Sequence, residues 1–315
     1  MQSTVIHERT DGLNVAILGN LPNTDFTAMI AVKMTFYKSD DLPTFDFTAM
    51  IAVNLTHGKF MPLNAERRKL LASLVPDQVI VSKKWLMQHR LGVHAIDNLV
   101  KARQLQAVTN GVYTNGNPPT SWEAIVYSLQ YIFDLKCVVG GLTALDLQGF
   151  SHYLRLGKKS VVNLYVAEPL PKWVDTLSDD ISFRSQSSRP IVGNKTMAFT
   201  RKIEWRQGLP GIFVSTPERA ILEVLLDLPE KITFEHADEL MQGLTTLSPD
   251  KLQHLLEACN NVKVKRVFLW LAERYNYPWL SKLDINKIDL GSGNRMLVKG
   301  GRLNTKYKIS VPELS

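Results

Sequence analysis

Apolar residues recur at helical spacing in three successive segments from residue 61 onward. The segments are "LNAERRKLLASL" (63–74), "VSKKWLMQHRLG" (81–92), in which Ser82 is suited to cap the helix, and "VHAIDNLVKARQL" (93–105). The third segment has the clearest division into two faces. One stripe is apolar and is expected to face a core: Val93, Ile96, Leu99 and Val100. The other stripe is polar and is expected to face outward: His94, Asp97, Asn98 and Lys101.

A predicted hairpin follows these helices. Asn110-Gly111 separates two short apolar runs, and this dipeptide readily adopts the positive φ angles of a tight turn. Three helices followed by a hairpin are the element order of a winged helix-turn-helix, in which the third helix enters the major groove of DNA. The alternative is a small helical module with a solvated polar face. We favour DNA binding because that face carries His, Asn and Lys with one acid rather than Glu/Lys pairs.

Residues 121–315 predict a larger, mixed domain. A Pro/Gly/Asn cluster at 115–122 is suited to a linker. Alternating apolar runs at 160–168, 181–186 and 211–217 predict strands, and "TPERAILEVLLDL" predicts a helix capped by Thr216. Three further helical segments follow, and the tail alternates like a hairpin around Gly300-Gly301. We therefore expect an α+β protein with a winged helix-turn-helix at 61–117 and a larger mixed α/β domain at 121–315.

Composition limits the class of protein. Of 315 residues, 45% are hydrophobic, and the two cysteines do not stand at zinc-ligand or disulfide-framework spacing. No apolar run is long enough for a membrane span, and the first residues are charged where a signal peptide would be apolar. We expect a cytoplasmic protein without a membrane segment.

Positive charge collects in two places. Residues 61–120 carry eight Lys/Arg against three Asp/Glu, and residues 251–310 carry twelve against four. Such clusters indicate a polyanionic partner, although a basic balance is also compatible with a solubility feature.

Candidate catalytic chemistry is weak throughout. "GSGNR" (291–295) lacks the strand and helix of a nucleotide-binding fingerprint and is better explained as a turn. Glu218 with Glu223, and Asp238 with Glu239, lie on predicted amphipathic helices, where acids are routine. No histidine pairs with a carboxylate or cysteine at the spacing of a triad or zinc site. We expect no catalytic residue, metal or cofactor.

Several collinear segments resemble the AbiEi family, the antitoxin-repressors of type IV toxin-antitoxin systems. They include "GGLTALDLQGFSHYL", "STPERAILEVL", "VKVKRVFLWLAERYNYPWL" and "LDLGSGNRMLVKGGRLNTKYKISVP". The resemblance runs from about Met61 to Pro312. It implies a transcriptional autorepressor of its own operon, binding repeated operator sites, and an antidote to a nucleotidyltransferase-like toxin in phage defence. It does not imply a stable complex with that toxin. An enzyme of the nuclease or nucleotide-transferring class with an appended winged helix is the alternative.

Carried over by position, the resemblance assigns candidate DNA-binding residues. Phosphate contacts suit four cations: Lys83, Lys84, Lys101 and Arg103. Base edges suit Asn98 and His94, while Asp97 either accepts from cytosine or serves the helix surface. Asn110 and Tyr113 belong to the wing. The wing segment "QAVTNG" has no basic residue, unlike the Arg-rich wings usual in the family, which implies a weaker grip on DNA.

A second basic cluster has two interpretations. Lys263, Lys265 and Arg266, together with Arg274, are either the solvated start of a helix or a second nucleic-acid surface. The sequence supports both about equally.

The first 60 residues contain a duplicated segment. "DFTAMIAVKMT" (25–35) recurs as "DFTAMIAVNLT" (46–56), with identical letters rather than only similar apolar positions. Selection on packing would let letters drift, so we favour residues 1–60 being translated upstream DNA that contains repeated operator sites. A true β-hairpin of the two copies is the alternative.

The nucleotide sequence of the gene tests this origin. The 21-residue offset corresponds to 63 base pairs, close to six turns at about 10.5 base pairs per turn, which would place both sites on one DNA face. "FTAMIAV" permits the reverse-complementary arms TTTACCGC and GCGGTAAA when a lysine or asparagine codon follows. We expect such arms in both copies; freely diverged third codon positions would exclude the idea.

Overall fold

The computed structural model describes residues 71, 74–115, 119–150, 160–177 and 179–314, together with the backbone of four strands before them. The chain divides into two units, residues 1–64 and residues 65–315. No helix among the described residues is long and apolar enough to cross a membrane.

The first unit contains one antiparallel sheet whose strands follow in chain order. The strands are β1 (Glu8–Thr10), β2 (Leu13–Leu18), β3 (Thr27–Met34) and β4 (Phe47–Asn54). The two copies of the duplicated segment form β3 and β4 and pair with each other, with Ile30 opposite Ile51. This is the pairing expected of the hairpin alternative; the origin of the segment in translated DNA stays a prediction about the gene.

The second unit opens with two helices and a hairpin, which we call the helix-hairpin unit (residues 80–115). Its elements are β5 (Ile80–Ser82), α1 (Lys83–Gln88), α2 (Val93–Lys101), β6 (Leu105–Thr109) and β7 (Val112–Asn115). The succession of α1, α2, β6 and β7 is the one that the sequence predicted after the first helix. The helix predicted over 63–74 lies mostly outside the described residues, of which Leu71 and Leu74 are helical.

Two features of this unit differ from expectation. The sequence did not predict β5, which joins the hairpin in a sheet of order β5-β7-β6. A strand of three residues is too short to show an alternating pattern. Val93, assigned to the core stripe, is 38% exposed because it is the first residue of α2, whereas Ile96 and Leu99 are buried.

A five-stranded mixed sheet forms the centre of the larger domain. Its strands are β8 (Cys137–Val139), β9 (Ser160–Val166), β10 (Ile181–Ser187), β11 (Thr200–Ile203) and β12 (Ile212–Ser215). Their spatial order is β10-β9-β8-β12-β11. The predicted strands at 160–168, 181–186 and 211–217 are confirmed. The sequence did not predict β8 and β11, because strands of three or four residues are too short to show an alternating pattern.

Helices surround this sheet. They are α3 (Trp122–Tyr127), which continues as a π-helical turn to Ile132, α4 (Gly141–Leu147), α5 (Arg189–Val192), α6 (Pro217–Leu226), α7 (Phe234–Gly243), α8 (Pro249–Ala258) and α9 (Val262–Tyr275). The predicted helix after Thr216 is confirmed as α6, with Pro217 at its first position. The hydroxyl of Thr216 makes no capping hydrogen bond there, unlike that of Ser248 at α8.

The last strands form a separate small sheet. They are β13 (Arg295–Met296), β14 (Arg302–Asn304) and β15 (Ile309–Val311), in the order β13-β15-β14. The tail therefore makes a hairpin, but its turn is not at Gly300-Gly301, which lie in a turn between β13 and β14, two strands that do not pair. β14 pairs with β15, and Asn304 Oδ1 closes the turn between them by accepting from the Tyr307 amide at 2.9 Å.

The helix-hairpin unit is attached to the larger domain through polar contacts at β5. The buried Ser128 hydroxyl, in the π-helical turn, accepts from the Ile80 amide at 2.8 Å and donates to the Ala124 carbonyl at 2.7 Å. Arg206 Nη1 donates to the Asp77 carbonyl at 2.7 Å. These bonds give the start of β5 a fixed position against the larger domain.

A buried ion pair lies at the centre of the larger domain. Arg219 and Glu223, one turn apart on α6, are both fully buried, and Arg219 Nε donates to Glu223 Oε1 at 2.7 Å. Arg219 Nη1 also donates to the carbonyls of Thr196 (2.6 Å) and Ala198 (2.7 Å). The guanidinium therefore connects α6 to the segment that precedes β11.

Glu223 connects α6 to the sheet. Its carboxylate accepts from the Gly141 amide at 2.9 Å and from the Ser215 hydroxyl at 3.1 Å. A Cβ at Gly140 would lie 2.2 Å from Glu223 Oε2 and 2.3 Å from the Tyr165 ring, so only glycine allows this approach. The Tyr165 hydroxyl donates to the Glu223 carbonyl at 3.1 Å, and burial, reinforced by the Glu223 charge, raises the pKa of that phenol well above its usual value.

Removing one partner of this pair should destabilise the fold strongly. In Arg219→Leu the Glu223 carboxylate stays buried without its cation, and we expect a loss of about 3–5 kcal/mol in the free energy of unfolding, measured by urea denaturation. The matched control is Arg184→Leu, whose guanidinium is 45% exposed and 3.9 Å from Asp227 Oδ2. That variant should lose less than about 1 kcal/mol. Equal losses in the two variants would contradict the assignment.

Candidate nucleic-acid interface

The outward face of α2 carries four of the nine predicted contact residues. Gly92 precedes the helix, and Ile96 and Leu99 anchor its inner face in the core. On the opposite face His94, Asp97 and Lys101 are exposed and Asn98 is half-buried. Because this helix has a fixed apolar face, the polar side chains point together into solvent.

Helix α1 supports this face from the side. Ser82 Oγ accepts from the Trp85 amide at 3.0 Å and begins the helix, which places Lys83 and Lys84 in the first turn. Lys84 is exposed, and Lys83 Nζ lies 3.9 Å from Asp97 Oδ1. This exposed ion pair links the two helices and favours the helix-surface role for Asp97 over a contact with cytosine.

The hairpin is held against α1 by its turn. Gly111 has a φ of +77°, which the Asn110-Gly111 pair predicted, and its carbonyl accepts from the Lys83 amide at 2.7 Å. Asn110 is exposed at the tip. A register shift between Ala107 and Thr109 bends β6 where it approaches that tip.

The structure corrects the assignment of Tyr113 as a DNA contact. The resemblance made it a candidate DNA contact in the wing. It does lie in the return strand of the hairpin, but it is 8% exposed and belongs to the core beneath the hairpin. In β7 the residues Val112, Tyr113 and Thr114 are all buried, because the strand lies between β5 and β6. We therefore leave Tyr113 out of the proposed contact surface.

The turn between the helices adds residues that the sequence analysis missed. Arg90 is exposed and has a φ of +66°. His89 stacks on Trp85 with ring centroids 3.8 Å apart, and its Nδ1 lies 2.8 Å from the Trp85 carbonyl. Met87 is 49% exposed beside them. In the sequence, the signal for these residues was the dipeptide His89-Arg90 in the short turn before Gly92.

Cations dominate this surface. Residues 80–115 contain five Lys/Arg and one acid, Asp97. Lys84, Arg90, Lys101 and Arg103 are all exposed, and Arg103 follows α2 with a φ of +54°. Such a distribution suits phosphate contacts around a helix that presents amide and imidazole groups.

The predicted second surface at 263–266 is not a surface. Lys263 Nζ donates to the carbonyls of Leu226 (2.9 Å) and Leu228 (2.6 Å) at the end of α6, and burial lowers the pKa of this ammonium. Lys265 is 3% exposed and Arg266 is 1% exposed. The helical pattern alone did not show that Lys265 and Arg266 are buried or that the Lys263 ammonium bonds to backbone carbonyls.

Arg266 and Arg274 have structural partners. The Arg266 guanidinium donates to the carbonyls of Leu290 (2.7 Å), Gly293 (2.8 Å) and Lys308 (3.1 Å), so it holds the loop before β13. Arg274 Nε donates to Asp238 Oδ1 at 3.1 Å and connects α9 to α7. The cluster that predicted nucleic-acid binding therefore serves mainly internal packing.

The acid pairs considered as metal ligands are also engaged. Glu218 Oε1 accepts from the Ser248 amide at 2.9 Å, Glu223 is paired with Arg219, and Asp238 with Arg274. Across the described part of the chain, no three His, Cys, Asp or Glu side chains are grouped as a metal site.

Comparison with known proteins places the chain in a family. Residues 64–156 match the family described as "Transcriptional regulator, AbiEi antitoxin N-terminal domain". Residues 159–312 match "Transcriptional regulator, AbiEi antitoxin, Type IV TA system". No curated protein sequence matches the chain.

Three chains of solved structures match. One is the RV2827C protein from Mycobacterium tuberculosis, at 17% identity over 80% of this chain and 92% of that chain, with a TM-score of 0.44. The two family matches follow one another along the chain and cover both the helix-hairpin unit and the larger domain, and the chain belongs to the AbiEi family of type IV toxin-antitoxin transcriptional regulators.

Proposed function

We propose that this protein is a DNA-binding autorepressor and the antitoxin of a type IV toxin-antitoxin system. The observation that carries the proposal is the outward face of α2, where exposed polar and basic side chains stand on a helix anchored by Ile96 and Leu99. Family membership supports the regulator and antitoxin roles. The helix-hairpin unit is the DNA-binding module of this proposal, a winged helix-turn-helix.

In this function α2 enters the major groove. Asn98 and His94 face base edges, and the Asn98 amide is suited to paired contacts with adenine N6 and N7. Lys101, Arg103, Lys84 and Arg90 contact phosphates on either side. Lys83 contributes charge while paired with Asp97, and Asn110 at the hairpin tip approaches the sugar-phosphate backbone without a cation of its own.

The DNA target is a set of repeated sites upstream of the protein's own operon. A grip through phosphates makes binding fall steeply with salt, since each contacted phosphate releases condensed counterions. The hairpin has no basic residue, so the phosphate contacts come from α1, α2 and the turn between them.

The antitoxin role opposes a nucleotidyltransferase-like toxin in the cytoplasm as part of phage defence, and this role does not require a stable complex between the two proteins. The enzyme alternative is not favoured, because its candidate metal-binding carboxylates have other partners. The carboxylates that a nuclease would need are held by Arg219, Arg274 and the Ser248 amide.

Operator binding tests the placement of α2. In Asn98→Ala/Lys101→Ala the base contact and one phosphate contact are removed, so we expect at least tenfold weaker binding to the upstream DNA. The slope of log K against log salt should also fall by about 1. The measurement is a gel-shift titration at several salt concentrations.

The matched control changes the same residue types elsewhere. Asn286→Ala/Lys282→Ala removes an exposed asparagine and an exposed lysine from the turns after α9, and operator affinity should stay within twofold of the unaltered protein. Undiminished binding by the α2 double variant would refute this role of the helix.

The neighbouring gene tests the antitoxin role. We expect a reading frame for a nucleotidyltransferase directly downstream, whose expression alone arrests growth and whose effect this protein relieves. Growth arrest that persists when both are expressed would contradict the antitoxin assignment and leave operator binding untouched.

A further inference from the structure

An apolar side chain stands at the start of α2. Val93 is the first residue of that helix and is 38% exposed, whereas Ile96 and Leu99 further along are buried. Gly92 precedes it, and a Cβ at Gly92 would meet no atom within 4 Å, so the space in front of the helix is open. The isopropyl group of Val93 therefore borders solvent at the end of α2 that carries His94.

A second exposed apolar side chain, Met87, lies on the neighbouring helix. Met87 follows Lys83 by four residues on α1, which places both on one face of that helix. Val93 precedes Asp97 by four residues on α2, with the same consequence. The ion pair of Lys83 with Asp97 joins these two faces. Met87, which is 49% exposed, and Val93 therefore lie on the same side of the two helices, beside the turn that connects them.

Val93 stands at the border of the polar stripe of α2. At 3.6 residues per turn, Asp97 lies about 40° from Val93 around the helix axis on the polar side, and Ile96 lies about 60° away on the core side. Val93 also belongs to the first turn, and the N-terminal residues of a recognition helix are the ones that contact base edges. Its position is therefore that of a base contact at the flank of the stripe, one residue before His94.

We propose that Val93 recognises a thymine in each operator site by packing against the 5-methyl group of that base. This inference rests on the proposed DNA-binding function and adds the base that the apolar side chain selects. Thymine alone among the four bases presents a methyl group in the major groove, beside its O4 acceptor. Packing this methyl group against an isopropyl group removes apolar surface of both from water, so the contact favours thymine over the other bases and over uracil.

The charges around Val93 favour DNA over a protein as the occupant. Lys84 and Arg90 are exposed on α1 and in the turn after it. Asp97 is the one acid in residues 80–115, and it pairs with Lys83. A stable protein interface buries about 800 Å² on each partner around an apolar centre, which two aliphatic side chains among cations do not provide. A polyanion that carries methyl groups fits this surface, and duplex DNA is such a polyanion.

Replacement of thymine by deoxyuridine tests the contact on the full-length protein. Deoxyuridine keeps the base pair and the O4 acceptor and lacks only the methyl group. A fragment of the upstream region is prepared once with thymine and once with deoxyuridine throughout, and the affinity for each duplex is measured by gel-shift titration. The unaltered protein should bind the deoxyuridine duplex about three- to fivefold more weakly for each methyl contact, the effect expected from burying one such group.

The variant Val93→Ala assigns this loss to one side chain. Alanine favours the helix, so α2 should keep its structure. The variant should bind the thymine duplex about three- to fivefold more weakly than the unaltered protein does. Its loss on replacement by deoxyuridine should be smaller than that of the unaltered protein by the same factor. The slope of log K against log salt should stay unchanged, because no phosphate contact is removed.

Val161→Ala is the matched control, because Val161 on β9 is also 38% exposed and lies outside the helix-hairpin unit. This variant should bind both duplexes as the unaltered protein does. The inference is overturned if the unaltered protein binds both duplexes equally, if Val93→Ala keeps the full loss on replacement by deoxyuridine, or if Val161→Ala changes as much as Val93→Ala.

These outcomes separate the inference from the function on which it rests. Operator binding that depends on Asn98 and Lys101 but is indifferent to the methyl group would overturn the role of Val93 and leave the DNA-binding function standing. No binding of the upstream region by the unaltered protein would overturn both.

Discussion

The pairing of Arg219 with Glu223 is the constraint on which the larger domain depends. Two fully buried charges are tolerable only when each is neutralised and hydrogen-bonded. Here the two charges neutralise each other, and their other hydrogen-bond partners come from separate parts of the chain. The guanidinium donates hydrogen bonds to carbonyls of the segment before β11. The carboxylate accepts hydrogen bonds from the Gly141 amide and from the Ser215 hydroxyl at the end of β12. The pair therefore specifies how α6 meets both the sheet and the turn at Gly140-Gly141.

The same logic divides the basic residues into two groups. Arg266 and Lys263 satisfy backbone carbonyls inside the domain, at a cost in solvation that hydrogen bonds offset. Lys84, Arg90, Lys101 and Arg103 in the helix-hairpin unit, and Lys299 and Arg302 in the small sheet, stay in solvent. Only the second group is available to a polyanion, so the net charge of the chain overstates its capacity for nucleic acid.

The hydrogen bonds of Ser128 fix the position of the helix-hairpin unit against the larger domain. One hydroxyl accepts from the first strand of the helix-hairpin unit and donates within the helix of the larger domain, and Arg206 adds a bond to the preceding turn. A buried amide that depends on a side chain of the other domain is costly to separate. The larger domain therefore contributes to the placement of β5 and, through it, of α1 and the hairpin.

Periodicity and turn chemistry alone determined α2, the Asn110-Gly111 hairpin, the cap of α1, the start of α6 at Pro217 and the long strands of the main sheet, because these depend on neighbours a few residues away. The polar stripe of α2 was also visible in advance, since an amphipathic helix shows its exposed face in its spacing. Tertiary structure decided the rest: the three-residue strands β5 and β8, the burial of Tyr113, and the internal role of the 263–266 cluster. Whether a lysine or arginine faces water or a carbonyl depends on segments dozens of residues away, and no local pattern contains that information. The exposure of Met296 and Leu303 is of the same kind, because it follows from the register in which β13 and β14 pair with β15.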